Sequence, residues 1–198
     1  MTGHKRRAMS ATEFMAQLAK DQEYQRKKAD FDASLHERTS LLRAAERPIV
    51  ADLSTIGVQV DSVWDLVNTS DPYPAALPVL VEHLERGGYP DRVMESLGRA
   101  LAVKPAVVYW DRLKALYLAP RSSGEEDGTA VALAACATHA QLHDLLGFLS
   151  LAAREESRIY FLRPILDVGG TRGREVLESL TSDPVFGREA RALLKGQR

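Results

Sequence analysis

Apolar residues recur at intervals of three and four through most of the chain, which is the spacing of a helix with one buried face. Segments 77–84 and 93–101 both show this pattern clearly. Turn-forming Gly, Pro and Asn residues separate such segments at short intervals. The alternating stretch 58–60 is too short to form a convincing strand. The pattern therefore predicts an all-α fold.

The N-terminal part predicts one long helix. Between Ser10 and Glu46 there is no Gly or Pro, and good helix formers dominate. Ser10 and Glu13 have the spacing of a capping box, and Pro48 is expected to end the helix. The predicted organisation has three parts: a disordered basic start (1–9), a long N-terminal helix (10–47) and a helical-repeat domain (48–198).

The apolar stripe of this long helix is interrupted. Phe14 and Leu18 form one small face, and Phe31, Leu35 and Leu42 form a second. Too few heptads are filled for a sustained coiled coil. A structural role through self-association, with Phe14, Leu18 and Tyr24 of the N-terminal helix pairing between chains, is an alternative.

The repeat domain contains a helix pattern that recurs after 92 residues, or about three units of 31. The matched positions are Asp91 with Asp183, Val93 with Val185, and the Arg-Ala-Leu triplet 99–101 with 191–193. Each acidic residue is expected to cap its helix. A pair of helices this short leaves an apolar face uncovered, so neighbouring pairs are expected to stack.

This pattern resembles the HEAT and HEAT-like repeat family. The resemblance rests on the Leu-Pro-Val-Leu run 77–80 with Leu84, and on the recurring second-helix motifs at 91–101 and 183–193. It covers residues 72–198 as four helical hairpins, with 48–68 as a degenerate first hairpin. The segment 63–104 is also similar to uncharacterised bacterial HEAT-repeat proteins.

The resemblance implies a short right-handed α-α superhelix, a HEAT-like (armadillo-type) solenoid. Such a fold offers an extended curved surface, and the sequence shows no converging acid, base and nucleophile. We therefore expect a non-enzymatic protein-binding scaffold or adaptor. The alternative on the same fold is a DNA-acting enzyme of the alkylpurine glycosylase type.

Charge and composition narrow the partners. The chain has a net charge of −1, divided into +3 over residues 1–47 and −4 over residues 48–198. An acidic repeat domain disfavours nucleic acid as the partner. The single cysteine excludes an internal disulfide. The sequence has no run of 18 apolar residues, which is the length that a membrane-spanning helix needs. We expect a cytoplasmic protein with a protein partner.

Two sets of residues are candidates for partner contact. Trp110 and Asp111 would line a concave surface if they face it, whereas the alternative is that Trp110 packs inside a helix pair. Arg158 and Arg191 would meet an acidic partner or a phosphate if the second helix of each hairpin lines the inner surface. Ordinary surface charge paired with nearby glutamates is the alternative for these arginines.

The sequence offers little support for a metal or cofactor site. Cys136, His139 and His143 have ligand-like spacing, but one predicted helix ends at Cys136 and another begins at His139. We predict no metal site, and the sequence carries no Gly-rich phosphate loop or other cofactor motif. The glycine-rich segment 169–173 follows a helix, not a strand, and predicts a helix stop.

Overall fold

The computed structural model describes residues 10–154 and 156–196, so the predicted disordered start lies outside the described residues. Within these ranges the regular elements are helices and none is a strand, which confirms the all-α prediction. The α-helices are α1 (Ala11–Lys20), α2 (Gln22–Thr55), α3 (Val63–Val67), α4 (Leu77–Arg86), α5 (Asp91–Ala100), α6 (Trp110–Leu118), α7 (Ser123–Cys136), α8 (Leu142–Leu149), α9 (Leu162–Ser179) and α10 (Gly187–Lys195). Short 3-10 helices cover Pro74–Ala76, Lys104–Tyr109, His139–Gln141, Ala152–Arg154, Ser157–Phe161 and Leu180–Ser182.

The chain divides into two compact units, Met1–Ala44 and Ala45–Arg198. The described part of the first unit contains α1 and most of α2. Asp21 separates these helices, and its carboxylate accepts a hydrogen bond of 3.0 Å from the amide of Tyr24. Asp21 therefore caps α2 at its N-terminus.

The predicted helix end at Pro48 is wrong, because α2 continues through this residue to Thr55. Proline has no N–H, so the helical hydrogen bond to the carbonyl of Ala44 is lost. Ile49 and Leu53 follow on the buried face and are fully buried in the second unit. Their packing offsets the cost of the proline, while the predicted domain boundary at 47/48 stays a prediction.

The second unit is built from neighbouring helices in two sets. We refer to α4, α6, α8 and the end of α2 as the first helices, and to α3, α5, α7 and the 3-10 helix Ser157–Phe161 as the second helices. The second helices pack on one another in chain order, and α4 packs on α5 as α6 packs on α7. A Cβ atom added at Gly98 of α5 would lie 2.2 Å from the carbonyl carbon of Gly128 on α7. Glycine at both positions therefore lets the two backbones touch.

Aromatic rings join the first and second helices in the core. The ring centroid of Tyr117 on α6 lies 5.1 Å from that of Phe148 on α8 and 5.2 Å from that of Phe161. These edge-to-face contacts are the geometry that aromatic pairs prefer.

The expected acidic caps occur only in part. Asp183 accepts hydrogen bonds from the amides of Val185 (2.8 Å) and Phe186 (2.9 Å) ahead of α10. Asp91 does not cap α5, since its carboxylate accepts instead from the hydroxyl of Ser123 on α7 at 2.9 Å. The expectation is wrong for Asp91, because a side chain already inside the first turn points away from the free amides.

Candidate binding surface

Polar side chains on the first helices are bonded to one another across neighbouring helices. The pairs are His83 Nε2 with Asp52 (2.9 Å), Arg112 Nε with Glu85 (2.7 Å), Lys114 Nζ with Asp144 (2.5 Å) and Trp110 Nε1 with Asp144 (2.8 Å). Each pair links a helix to the next first helix along the chain. Each of these groups therefore already has a partner within the fold, although Asp52, Arg112 and Glu85 stay partly exposed.

His83 is the most buried member of this set, with 1% of its surface exposed. Its Nε2 contacts Asp52, and its Nδ1 lies 2.6 Å from the hydroxyl of Tyr89 and 3.2 Å from Nη1 of Arg86. Because arginine only donates, Nδ1 is the acceptor and the proton is on Nε2. Burial lowers the pKa of His83, and the hydrogen bond from His83 to Asp52 opposes this only in part. A neutral, enclosed imidazole of this kind ties α2 to α4.

Trp110 and Asp111 are not brought together at a surface site. The indole of Trp110 is 6% exposed and stacks on Phe148 at a centroid distance of 6.3 Å. The side chain of Asp111 is exposed. Trp110 therefore packs inside the fold and does not form a surface site with Asp111.

The second helices present a different group of side chains, which we name the second-helix face: Trp64, Arg92, Glu95, Arg99, Asp127 and Tyr160. The guanidinium of Arg92 lies 4.4 Å from the centre of the Trp64 ring. Glu95 accepts from Arg92 and from Arg99, both at 2.7 Å. Burial lowers the pKa of Arg99, but the hydrogen bond to Glu95 and a smaller contribution from Tyr160 leave it raised. These contacts connect α3, α5 and the segment that follows α8.

Asp127 differs from the other charged groups of the second-helix face. Its carboxylate makes no hydrogen bond within residues 10–154 and 156–196, although it is only half-exposed. Burial raises the pKa of Asp127, and the neighbouring carboxylates of Glu95 and Glu126 raise it further. Arg99 lowers it by less. Asp127 is thus a carboxylate that lacks a neutralising partner.

The other predicted contact residues are dispersed. Arg158 donates from Nη1 to the carbonyl of Leu149 at 2.8 Å and lies over the ring of Phe186 at 5.1 Å. Arg191 donates to the carbonyl of Thr181. Both guanidinium groups therefore hold local backbone or ring partners.

Phe14 and Leu18 lie on α1, in the first unit. The ring of Phe14 is 52% exposed, and Leu18 is half-buried. They stay predicted contact residues.

The three candidate metal ligands are not assembled. Cys136 is fully buried, and burial raises the pKa of its thiol to about 11. His139 Nδ1 lies 2.9 Å from the carbonyl oxygen of Val168, and His143 is exposed on α8. Across the described part of the chain, no three His, Cys, Asp or Glu side chains are placed to hold a metal ion.

A small apolar pocket of about 230 Å³ opens between the loop 69–74, Leu77, Val103 and Pro105. It is smaller than typical ligand sites, which occupy about 300–1,000 Å³. Tyr73, which lines it, donates its hydroxyl to the carbonyl of Ala100 at 3.0 Å. The hydroxyl of Tyr73 is therefore already bonded within the fold, and the pocket is too small for a typical ligand site.

Comparison with known proteins adds no family. No protein-family model, curated protein or solved structure matches this chain at a significant level. Among the described residues, none of the helices combines the length and apolarity that crossing a membrane requires.

Sequence reasoning missed the second-helix face. Arg99 carried a signal, since it belongs to the triplet that recurs at 191–193. Asp127 carried a second signal, because it is a charged residue beside the stretch of α7 that is rich in Ala, Val and Leu. Neither signal identifies Trp64 or Tyr160, because their neighbours come from other helices.

Proposed function

We propose that this chain is a non-enzymatic, cytoplasmic binding module that presents the second-helix face to a protein partner. The observation that carries the proposal is the contrast between the two sets of helices. On the first helices, residues such as His83 and Trp110 form hydrogen bonds between helices. On the second helices, aromatic and charged side chains gather at the surface around an unneutralised Asp127.

The proposed architecture is a short right-handed HEAT-like superhelix. Its support is the recurrence of bonds between successive first helices at a spacing near the predicted unit of 31 residues. Asp52 bonds to His83, 31 positions on, and Trp110 bonds to Asp144, 34 positions on. The packing of second helices in chain order supports the same arrangement.

The charge of the second-helix face favours a protein over DNA. Glu95 bonds to both Arg92 and Arg99, and with Asp127 the face carries as many carboxylates as guanidinium groups, so it has no excess of positive charge for a phosphate. The group without a partner is the carboxylate of Asp127. A partner that places a lysine or arginine opposite Asp127 would be attracted to this face.

The experiment compares full-length protein with Asp127→Arg and Asp111→Arg in affinity capture from the native host. Partners are identified by mass spectrometry, and the dissociation constant is then measured with purified partner. We expect a partner that is retained by wild type and by Asp111→Arg and lost with Asp127→Arg.

Other outcomes identify other functions. A partner lost only with Asp111→Arg would move the contact to the first helices. Salt-sensitive retention of DNA by the wild type would replace the binding module with the DNA-acting enzyme.

A further inference from the structure

Helix α2 carries one continuous apolar stripe. At 100° per residue, its members fall within a sector of about 40° of the helix surface. They are Tyr24, Phe31, Leu35, Leu42, Ile49 and Leu53. The stripe therefore runs through nearly the whole helix.

Only one end of this stripe is covered. Ile49 and Leu53 are fully buried in the second unit, whereas Leu42 keeps part of its surface exposed. Phe31 is 66% exposed and Leu35 is 48% exposed. An apolar surface that continues a core stripe and then meets water is typical of an interface.

The spacing of the exposed part identifies what covers it. Tyr24, Phe31, Leu35 and Leu42 are separated by seven, four and seven positions, so the order is the same from either end. An antiparallel second copy of α2 would place Phe31 opposite Leu35 and Tyr24 opposite Leu42. A two-fold interface requires this self-complementarity.

We propose that two copies of this chain pair antiparallel along α2, with the two-fold axis passing between Phe31 and Leu35 of the stripe. The pairing is separate from the protein partner of the second-helix face, since its residues lie on α2 within residues 22–44. It buries four apolar side chains from each copy, over a length of about 27 Å of helix.

Matched variants test the face. Leu35→Asp places a charge on the stripe, whereas Leu41→Asp changes a more exposed leucine (65%) on another side of α2. We expect wild type and Leu41→Asp to sediment as dimers and Leu35→Asp as a monomer, all with the same helical circular dichroism. A monomeric wild type, or a dimer that survives Leu35→Asp, would overturn the proposal.

Disulfide mapping tests the direction. Phe31→Cys and Leu35→Cys proteins are purified separately, mixed and oxidised, while the native Cys136 is buried with a raised thiol pKa and does not compete. We expect the mixed disulfide to dominate over both homodisulfides. Faster homodisulfides would indicate parallel helices and contradict the antiparallel pairing.

Discussion

Arg121 and Arg154 lie 33 residues apart and make equivalent contacts with the end of a preceding first helix. Arg121 follows α6 and donates to the carbonyl of Leu84 in the last turn of α4 at 2.7 Å. Arg154 follows α8 and donates to the carbonyl of Leu118 at the end of α6 at 3.1 Å. The last carbonyls of a helix have no partner within it, so each arginine satisfies a group that α-helix geometry leaves open.

A carboxylate from α7 holds each of these arginines. Glu125 pairs with Arg121, and the next residue, Glu126, pairs with Arg154 at 3.2 Å. Glu125 is fully buried, whereas a fifth of the Glu126 side chain is exposed. The hydrogen bonds that Arg121 donates to Glu125 raise the pKa of Arg121.

Arg121→Ala is expected to destabilise the fold strongly. It leaves the buried carboxylate of Glu125 without a counter-charge, and such a loss costs about 3–5 kcal/mol. Urea unfolding followed by circular dichroism measures the change. Arg163→Ala is the control, because its partner Asp167 is exposed and a surface pair contributes about 0–1 kcal/mol. Equal losses in the two variants would contradict the role given to Glu125.

Gly98→Ala is expected to lower the melting temperature. The added methyl group would lie 2.2 Å from the backbone of Gly128, so α5 and α7 must separate, at a cost of about 1–3 kcal/mol. Gly147→Ala on α8 is the matched control. No atom lies within 4 Å of its added methyl group, and alanine is the better helix former by about 1 kcal/mol. If both variants melt at the same temperature, the close helix contact does not limit stability.

The sequence is sufficient for the elements that local signals determine. The helix that begins at Asp91 starts where periodicity predicted it. Gly170, with a φ of +55°, breaks α9 inside the glycine-rich segment where a helix stop was predicted. A left-handed φ is a local preference of glycine, so it can be predicted without knowledge of the neighbours.

The failures occur where packing between distant segments decides the outcome. Pro48 is a helix breaker by local rules, yet the burial of Ile49 and Leu53 carries α2 through it. The contact between Asp52 and His83 spans 31 residues and depends on how α2 packs against α4. No local pattern contains that information. Residue type alone therefore predicts candidate residues that the fold does not bring together.

Acidification is expected to destabilise the protein through His83. Burial lowers the pKa of His83 in the fold, so the unfolded chain binds the proton more readily. The contribution is therefore fully present above about pH 6.5 and is lost as the pH falls toward the folded pKa. Unfolding free energies measured across this range should fall more steeply for wild type than for His83→Gln. Parallel curves would show that His83 does not control this loss.

Two aspartates on the second unit are expected to respond in opposite directions to the same substitution. Burial raises the pKa of Asp127, with Glu95 and Glu126 adding to it, so its charged form destabilises the fold above about pH 4. Burial also raises the pKa of Asp144, but the hydrogen bonds from Lys114 and Trp110 leave it lowered. The charged form of Asp144 therefore stabilises the fold, and this contribution is lost as the pH falls.

Asp127→Asn should accordingly raise the melting temperature at pH 7, and Asp144→Asn should lower it. The Asp127→Asn difference should shrink as the pH falls toward about 4, whereas the Asp144→Asn difference should shrink only below about pH 4, as the pH falls through the lowered pKa of Asp144. Thermal melts at several pH values measure both variants. If Asp127 contacts the partner, the stabilised Asp127→Asn protein should also bind that partner less tightly. Residues that a protein uses for recognition often lower the stability of its fold. An Asp127→Asn protein that melts earlier would show that the carboxylate supports the fold and is not held ready for a cationic partner.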